Sequence, residues 1–333
     1  MRASALVAGL LAAFATGHAA AEPASFIPMQ IRTTPINEFR IGSAETRFGP
    51  FEFVGGLSMT SSGRDFGALS SIAFTDPGGA FVGVADTGFW FFGRVERDAS
   101  GKPSGIADFR MQPMVDAEGK PIEGKYDSDG EGLALRGTTV TASFERAHRI
   151  VEFDLTPQGI GEPGRQIDYL IPRAELRQNR GFETVAYAPQ DGALAGARVV
   201  VSEMSLDANG DIFAAILEGP QKGIFKVARS GDFDITDGAF LPDGDLLLLE
   251  RKFSMAIGVA MRLRRIEAAS IRRGGRADGP VLLEAGMAYQ IDNMEGLDIW
   301  RRSDGALMVS LVSDDNHSIL QRNLYLEFRL LDE

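Results

Sequence analysis

Cysteine is absent from the 333 residues, and histidine occurs only as His18, His148 and His317. The first absence excludes a disulfide framework, a thiolate nucleophile and any Cys-ligated zinc or iron–sulfur site. The second leaves an HExxH zincin, a three-histidine zinc site or a Ser-His-Asp hydrolase with too few histidines to draw on. There is no GxSxG elbow and no Walker A segment. Positive charge is also short: 34 Lys and Arg face 46 Asp and Glu, a net charge of -12. Such a field repels polyphosphate backbones, so nucleic acid is not an expected partner. Chemistry must rest on carboxylates, arginines and hydroxyls.

What is present points to short strands and many turns. The chain holds 39 Gly, 15 Pro and 22 Phe, with 44% hydrophobic and 24% charged residues. This is an ordinary globular composition, rich in turn formers and in residues that fit a pleated surface, and it predicts an all-β fold. Helix is expected only weakly, at Arg173 to Gln178 and Arg264 to Arg272. The first residues differ: Arg2 precedes an apolar run from Ala5 to Ala15, then Ala19-Ala20-Ala21 before Glu22. That is the pattern of a secretory signal peptide over residues 1–21, too short in its apolar part to span a bilayer. A single domain over residues 22–333 follows, in a periplasmic or secreted protein with no membrane span after cleavage, expected to be a monomer.

One unit recurs along the chain. Its copies begin with short apolar strands around Ser71, Glu131, Glu183, Asp237 and Glu295, offset by 60, 52, 54 and 58 residues. In most copies a Gly/Asp/Pro turn follows, such as Asp76-Pro77-Gly78-Gly79 or Pro242-Asp243-Gly244, and then a second apolar strand ending in polar residues. One or two further strands complete each copy. Four antiparallel strands per 50 to 60 residues is the signature of a β-propeller blade around a central channel. Five units account for residues 57 to 330, and Phe48 to Leu57 could close the ring onto Asn323 to Leu330. A sixth blade built partly from residues 28 to 57 is the alternative, so five or six blades are expected.

In an up-and-down blade the start of the first strand and the end of the second lie at one end of the molecule. Ser71, Glu131, Glu183, Asp237 and Glu295 should therefore meet Asp86, Glu145, Glu203, Glu250, Asp314 and Asp315 around one mouth. So many carboxylates repel unless neutralised, which calls for nearby cations such as Arg146, Arg180 and Arg251, or for a divalent ion with oxygen ligands. Each carboxylate also has a plain structural use, accepting backbone N–H groups from a neighbouring blade. Asp127-Ser128-Asp129-Gly130-Glu131 offers alternating oxygens, and Asp314-Asp315-Asn316-His317 is a second oxygen-rich corner. These place candidate metal ligands at Asp127, Asp129, Asp314 and Asp315, with Ca2+ the candidate ion and no organic cofactor expected. Asp207 to Asp211 with Glu218 has EF-hand spacing, but Ile212 stands where the sharp turn needs Gly. Gly159 to Gly164 matches GxGxxG between two prolines and reads as a turn.

The combination of Asp129-Gly130-Glu131-Gly132-Leu133-Ala134, Asn179-Arg180-Gly181-Phe182-Glu183, Leu241-Pro242-Asp243-Gly244 through Leu249-Glu250-Arg251, and Asn293-Met294-Glu295-Gly296-Leu297 through Asp314-Asp315-Asn316 resembles the phytase-like family known for "esterase-like activity of phytase". The resemblance spans about residues 55 to 328. It implies an exported propeller that hydrolyses an ester or phosphate ester, with calcium held by carboxylates and cationic side chains on the phosphate. The chain departs from propeller phytases in having few lysines near the mouth and no matching calcium motif, which argues against phytate as substrate. On this reading Glu131, Glu183 and Glu295 hold a divalent ion or activate water, while Arg146, Arg180 and Arg251, with Glu145 and Glu250, bind a small-molecule substrate. A non-catalytic propeller binding a small ligand or a cell-envelope partner is the alternative, and a lactonase-like calcium propeller a third.

Overall fold

The computed structural model describes residues 25–331 except residue 257. The signal peptide expected at residues 1–21 lies outside the described residues. Five sheets, antiparallel but for the short outer strand Arg276–Ala277 that pairs parallel to Gly223–Val227 in the third, follow one another along the chain, and the first strand of each stands at the centre: Leu69–Phe74, Gly130–Arg136, Phe182–Tyr187, Asp234–Phe240 and Asn293–Arg301. Each of these inner strands packs against the next and the last against the first, so the ring closes on five blades. No sixth blade forms from residues 28 to 57. Ile27–Pro28 pairs instead with the outer strand of blade 1, and Arg32–Ile36, Arg47–Phe48 and Phe51–Thr60 join blade 5.

Closure is the strand pairing expected from the sequence. Phe51–Thr60 runs antiparallel to Asn323–Leu330, from Phe51 opposite Leu330 to Met59 opposite Asn323. The two ends of the ring are thereby held in one sheet, and the two strands leave no unpaired edge between them.

The physical reason for the blades is visible in Leu246-Leu247-Leu248-Leu249. Alternate strand residues point to opposite faces. Leu246 and Leu248 pack against Val199 and Val201 of blade 3, whereas Leu247 and Leu249 pack against Leu297, Leu311 and Phe328 of blade 5. Both faces of a blade are covered, which is why the strands read as continuous apolar runs. Five apolar clusters result, one between each pair of neighbouring blades. Among the described residues helix is reduced to one turn at Lys125–Ser128 and to 3-10 turns at Arg173–Glu175 and Ala268–Ser270. No helix among the described residues is long and apolar enough to cross a membrane.

Candidate functional site: an acidic mouth built on five bulges

In every blade the register between first and second strands slips by one residue just inside the mouth. Leu69 faces Ala85 but Ser71 faces Val84; Phe182 faces Ser202 but Thr184 faces Val201; Met294 faces Ser313 but Gly296 faces Val312. Blades 2 and 4 slip in the same way, between Gly130 and Leu133 and between Ile235 and Asp237. A bulge puts an extra residue on one strand and re-aims its side chain. The extra residues are Ser70, Glu131, Glu183, Thr236 and Glu295. Ser70 and the three glutamates line the mouth. Thr236 instead donates to the Met294 carbonyl of the next blade.

This register corrects two positions of the sequence alignment. The counterparts of the glutamates in blades 1 and 4 are Ser70 and Thr236, one residue before Ser71 and Asp237. Asp237 sits deeper, where it accepts from Ser71 Oγ (2.8 Å) and from the Leu297 and Gly238 N–H groups. It thus has the structural use anticipated for such carboxylates, tying blades 1, 4 and 5 together.

The second ring follows from the same pairing. One residue beyond the first pair, the second strands carry Asp86, Glu145, Glu203, Arg251 and Asp314. Their backbones continue the ladder opposite residues 68, 129, 181, 234 and 293. Blade 4 therefore presents Arg251, and Glu250 points away from the mouth. Glu250 is 1% exposed and is paired with Arg262 and with Arg264, at 2.6 Å from the latter, so its expected place in substrate binding is not what the fold builds.

The mouth is a cavity of about 230 Å³. Eight carboxylates line it: Asp86, Asp129, Glu131 and Glu145 from the side of blades 1 and 2, and Glu183, Glu203, Glu295 and Asp314 from the rest. Three cations face them, Lys125, Arg146 and Arg251, so the fully ionised lining would carry 3 - 8 = -5. Lys125 stands on the single helical turn, 2.5 Å from Asp86 and 3.4 Å from Asp129. Arg146 Nε donates to Asp129 at 2.8 Å. Arg251 donates to Asn293 Oδ1 at 2.6 Å and lies 3.3 Å from Glu295 and 3.7 Å from Glu203.

Four of the eight have no ion pair among the described residues: Glu145 and Asp314, which accept from the Gly181 and Asn316 N–H groups, and Glu131 and Glu183. Glu183 is 7% exposed, and among the described residues no hydrogen bond or ion pair reaches its carboxylate; the same is true of the less buried Glu131. Burial first, and then the neighbouring acids, push both carboxyls well above the usual range. Burial raises Glu145 to about 7, with Glu203 adding to it. Glu295 is raised to about 8 by burial, against the pull of Arg251, and Asp314 to about 7 by burial with Asp86 contributing. Two triads bring ligand oxygens within 4.8 Å of one another, Asp129 with Glu131 and Glu145, and Glu145 with Glu183 and Glu203. An all-oxygen donor set of this kind suits a hard divalent cation such as calcium.

Other expected residues fall elsewhere. Arg180 stands behind the lining and bridges Glu203 (3.1 Å) to Asp234 (2.8 Å). Asp127 is exposed on the outside of blade 2, where its backbone carbonyl accepts from Arg149. Asp315 caps its own loop, accepting from His317 N–H at 3.1 Å. Neither shares the cavity with Asp129 and Asp314. The Asp207 cluster is consumed by ion pairs with Lys226 and, from Asp211, with Arg276. Lys125 had no sequence signal, since it neighbours the site only through the turn that follows blade 1.

Fold and site together define a five-bladed propeller with an acidic pocket at one end of its channel. The chain belongs to the phytase-like family described as "Esterase-like activity of phytase", whose model matches residues 64–317. No curated protein matches it by sequence. Among solved structures, an endo-arabinase from Bacteroides thetaiotaomicron is similar at 13% identity and a TM-score of 0.47, over 80% of this chain and 94% of that one. The PQQ-bound aldose sugar dehydrogenase of Streptomyces coelicolor is similar at 13% identity and 0.45, over 92% of this chain and 100% of that one. No activity is drawn from either likeness.

Proposed function

We propose that the protein is an exported hydrolase of a small ester or phosphate ester, working at the acidic mouth with a divalent ion, calcium being the first candidate. The carrying observation is Glu183: a buried side chain whose carboxylate no hydrogen bond or ion pair reaches, within 4.8 Å of ligand oxygens on Glu145 and Glu203, is costly to ionise unless a cation joins them. Glu145, Glu183 and Glu203 would hold the ion. When bound, such an ion supplies Lewis-acid stabilisation of developing negative charge and lowers the pKa of a bound water.

The chain's own residues supply the rest. Arg251, Arg146 and Lys125 bind the anionic or polarised oxygens of the substrate. With the ion in place its charge would draw the raised Glu131 carboxyl into its ionised form, and Glu131 would then accept a proton from the attacking water as the water oxygen bonds to the carbonyl carbon or phosphorus. Glu295, still protonated near neutrality because it titrates at about 8, gives its proton to the leaving oxygen as the ester bond breaks. A pocket of about 230 Å³ takes the reacting group and leaves the body of the substrate outside.

The test is hydrolysis of p-nitrophenyl phosphate and p-nitrophenyl acetate by the purified chain, with calcium and with chelator. Turnover that chelator removes, and that Glu183→Gln abolishes while the fold is retained, supports the reading. Calcium binding with no turnover on either class would leave a non-catalytic, ligand-binding propeller. Activity indifferent to both chelator and Glu183→Gln would overturn the site. Export is tested separately, by an N-terminus beginning at Glu22 in protein recovered outside the cytoplasm.

A further inference from the structure

The molecule carries a second cavity of opposite character, far from the acidic mouth. First and third strands run away from the mouth, so their last residues gather at the other end, and between blades 4 and 5 they enclose about 410 Å³. Three arginines reach this cleft from three different strands: Arg265 from Gly258–Ile266, Arg301 from Asn293–Arg301 and Arg329 from Asn323–Leu330. One carboxylate, Asp243, shares it. The lining itself holds three arginines and one carboxylate, while Asp245 and Glu52, just outside it, pair with Arg265 and Arg329 and leave Arg301 without a counter-charge among the described residues.

The three guanidiniums are not equally engaged. Arg265 is fixed by Asp245 at 2.7 Å and Asp243 at 2.5 Å, which orients it without moving it out of the cleft. Arg301 gives one N–H to the Gly305 carbonyl at 2.6 Å and has no carboxylate partner among the described residues. Arg329 has only a loose ion pair with Glu52 at 3.8 Å, both side chains being more than two-fifths exposed. Guanidinium forks with donors to spare, converging from separate strands, match a tetrahedral dianion better than a planar carboxylate, which one fork can satisfy. The remaining wall is apolar, with Leu241, Leu307, Leu330 and Pro50.

We propose that this arginine cleft between blades 4 and 5 is a binding site for a small phosphate monoester with an apolar body. The site is independent of whatever the acidic mouth does. Arg301 and Arg329 take the phosphate oxygens, Arg265 holds the electrostatic field in place, and the apolar group lies against the leucines.

The experiment is calorimetric titration of the full chain with phenyl phosphate, run in chelator so that no divalent ion can bridge the ligand to the mouth. Binding of one equivalent is expected, weakened by added salt, with inorganic phosphate weaker and phenol not binding. Arg301→Gln and Arg329→Gln should each reduce affinity about tenfold, the loss of a charge-assisted hydrogen bond, and the double variant should abolish measurable binding. Both residues are exposed, so the single variants report even if the double variant misfolds. Glu183→Gln should leave this affinity unchanged. No heat at millimolar phenyl phosphate, or an affinity that survives both arginine substitutions, overturns the proposal. Loss of binding in Glu183→Gln alone would move the ligand to the mouth and overturn it equally.

Discussion

Raising the pH should destabilise the ion-free protein, because the mouth cannot ionise at its ordinary pH. Glu295 moves from 4.5 to about 8 and Asp314 from 3.8 to about 7, with Glu145 at about 7 beside them. The sign follows from the folded pKa lying above the unfolded one. Below pH 4 to 5 the groups are protonated in both states, and their contribution to stability is fully present. As pH rises the unfolded chain releases protons first, and stability is lost until pH passes the folded values near 7 to 8. Taken singly, a shift the size of that on Glu295 or Asp314 is worth about 4 to 5 kcal/mol at about 1.4 kcal/mol per pH unit. The groups share one cavity, so these figures do not add, and a total loss of about 4 kcal/mol between pH 4.5 and 8.5 is the working value. At roughly 2 °C per kcal/mol for a chain of this length, that is about 8 °C in melting temperature. Thermal unfolding followed by circular dichroism in chelator measures it, with calcium expected to restore most of the loss at high pH. Glu183→Gln removes one buried acid that has no partner to lose, so it should flatten the slope and raise the melting temperature at pH 8.5 while changing little at pH 4.5. A flat profile in chelator, or a slope unchanged by Glu183→Gln, would refute the view of the mouth as a set of unneutralised buried acids.

Arg251→Gln takes a guanidinium from between Glu203 and Glu295, so the pH slope in chelator should steepen and calcium should bind more tightly, both read by titrated unfolding. Glu250→Gln strands Arg262 and Arg264 in the core and should cost about 3 to 5 kcal/mol, while the calcium midpoint of the folded protein stays where it was. A Cβ at Gly132 would stand 2.2 Å from the Glu183 carbonyl oxygen, so Gly132→Ala should force the inner strands of blades 2 and 3 apart. A melting temperature lowered by several degrees and a weakened calcium response are expected; a neutral substitution would contradict the close approach.

Blade architecture was legible along the chain because it is a local matter: alternation puts Leu246 and Leu248 on one face and Leu247 and Leu249 on the other, and turn residues mark where each strand reverses. The closing strand was legible for the same reason, as Phe51 and Phe53 alternate against Leu330 and Phe328. That Glu131, Glu183 and Glu295 share one mouth followed from the repeat, since equivalent positions of successive blades return to one end of the ring. What spacing could not supply was the register. A bulge inserts one residue, and one residue turns a strand's side chain to the other face. Hence Arg251 enters the mouth and Glu250 leaves it, Ser70 and Thr236 replace Ser71 and Asp237, and the number of blades settles at five only when the N-terminal strands pair with blades 1 and 5. Composition and periodicity thus set the kind of fold and the neighbourhood of the site. The tertiary structure decided which carboxylates face one another, which of them are left without an ion pair, and where Lys125 and the arginine cleft lie, because burial and long-range charge arise only when the blades close on each other.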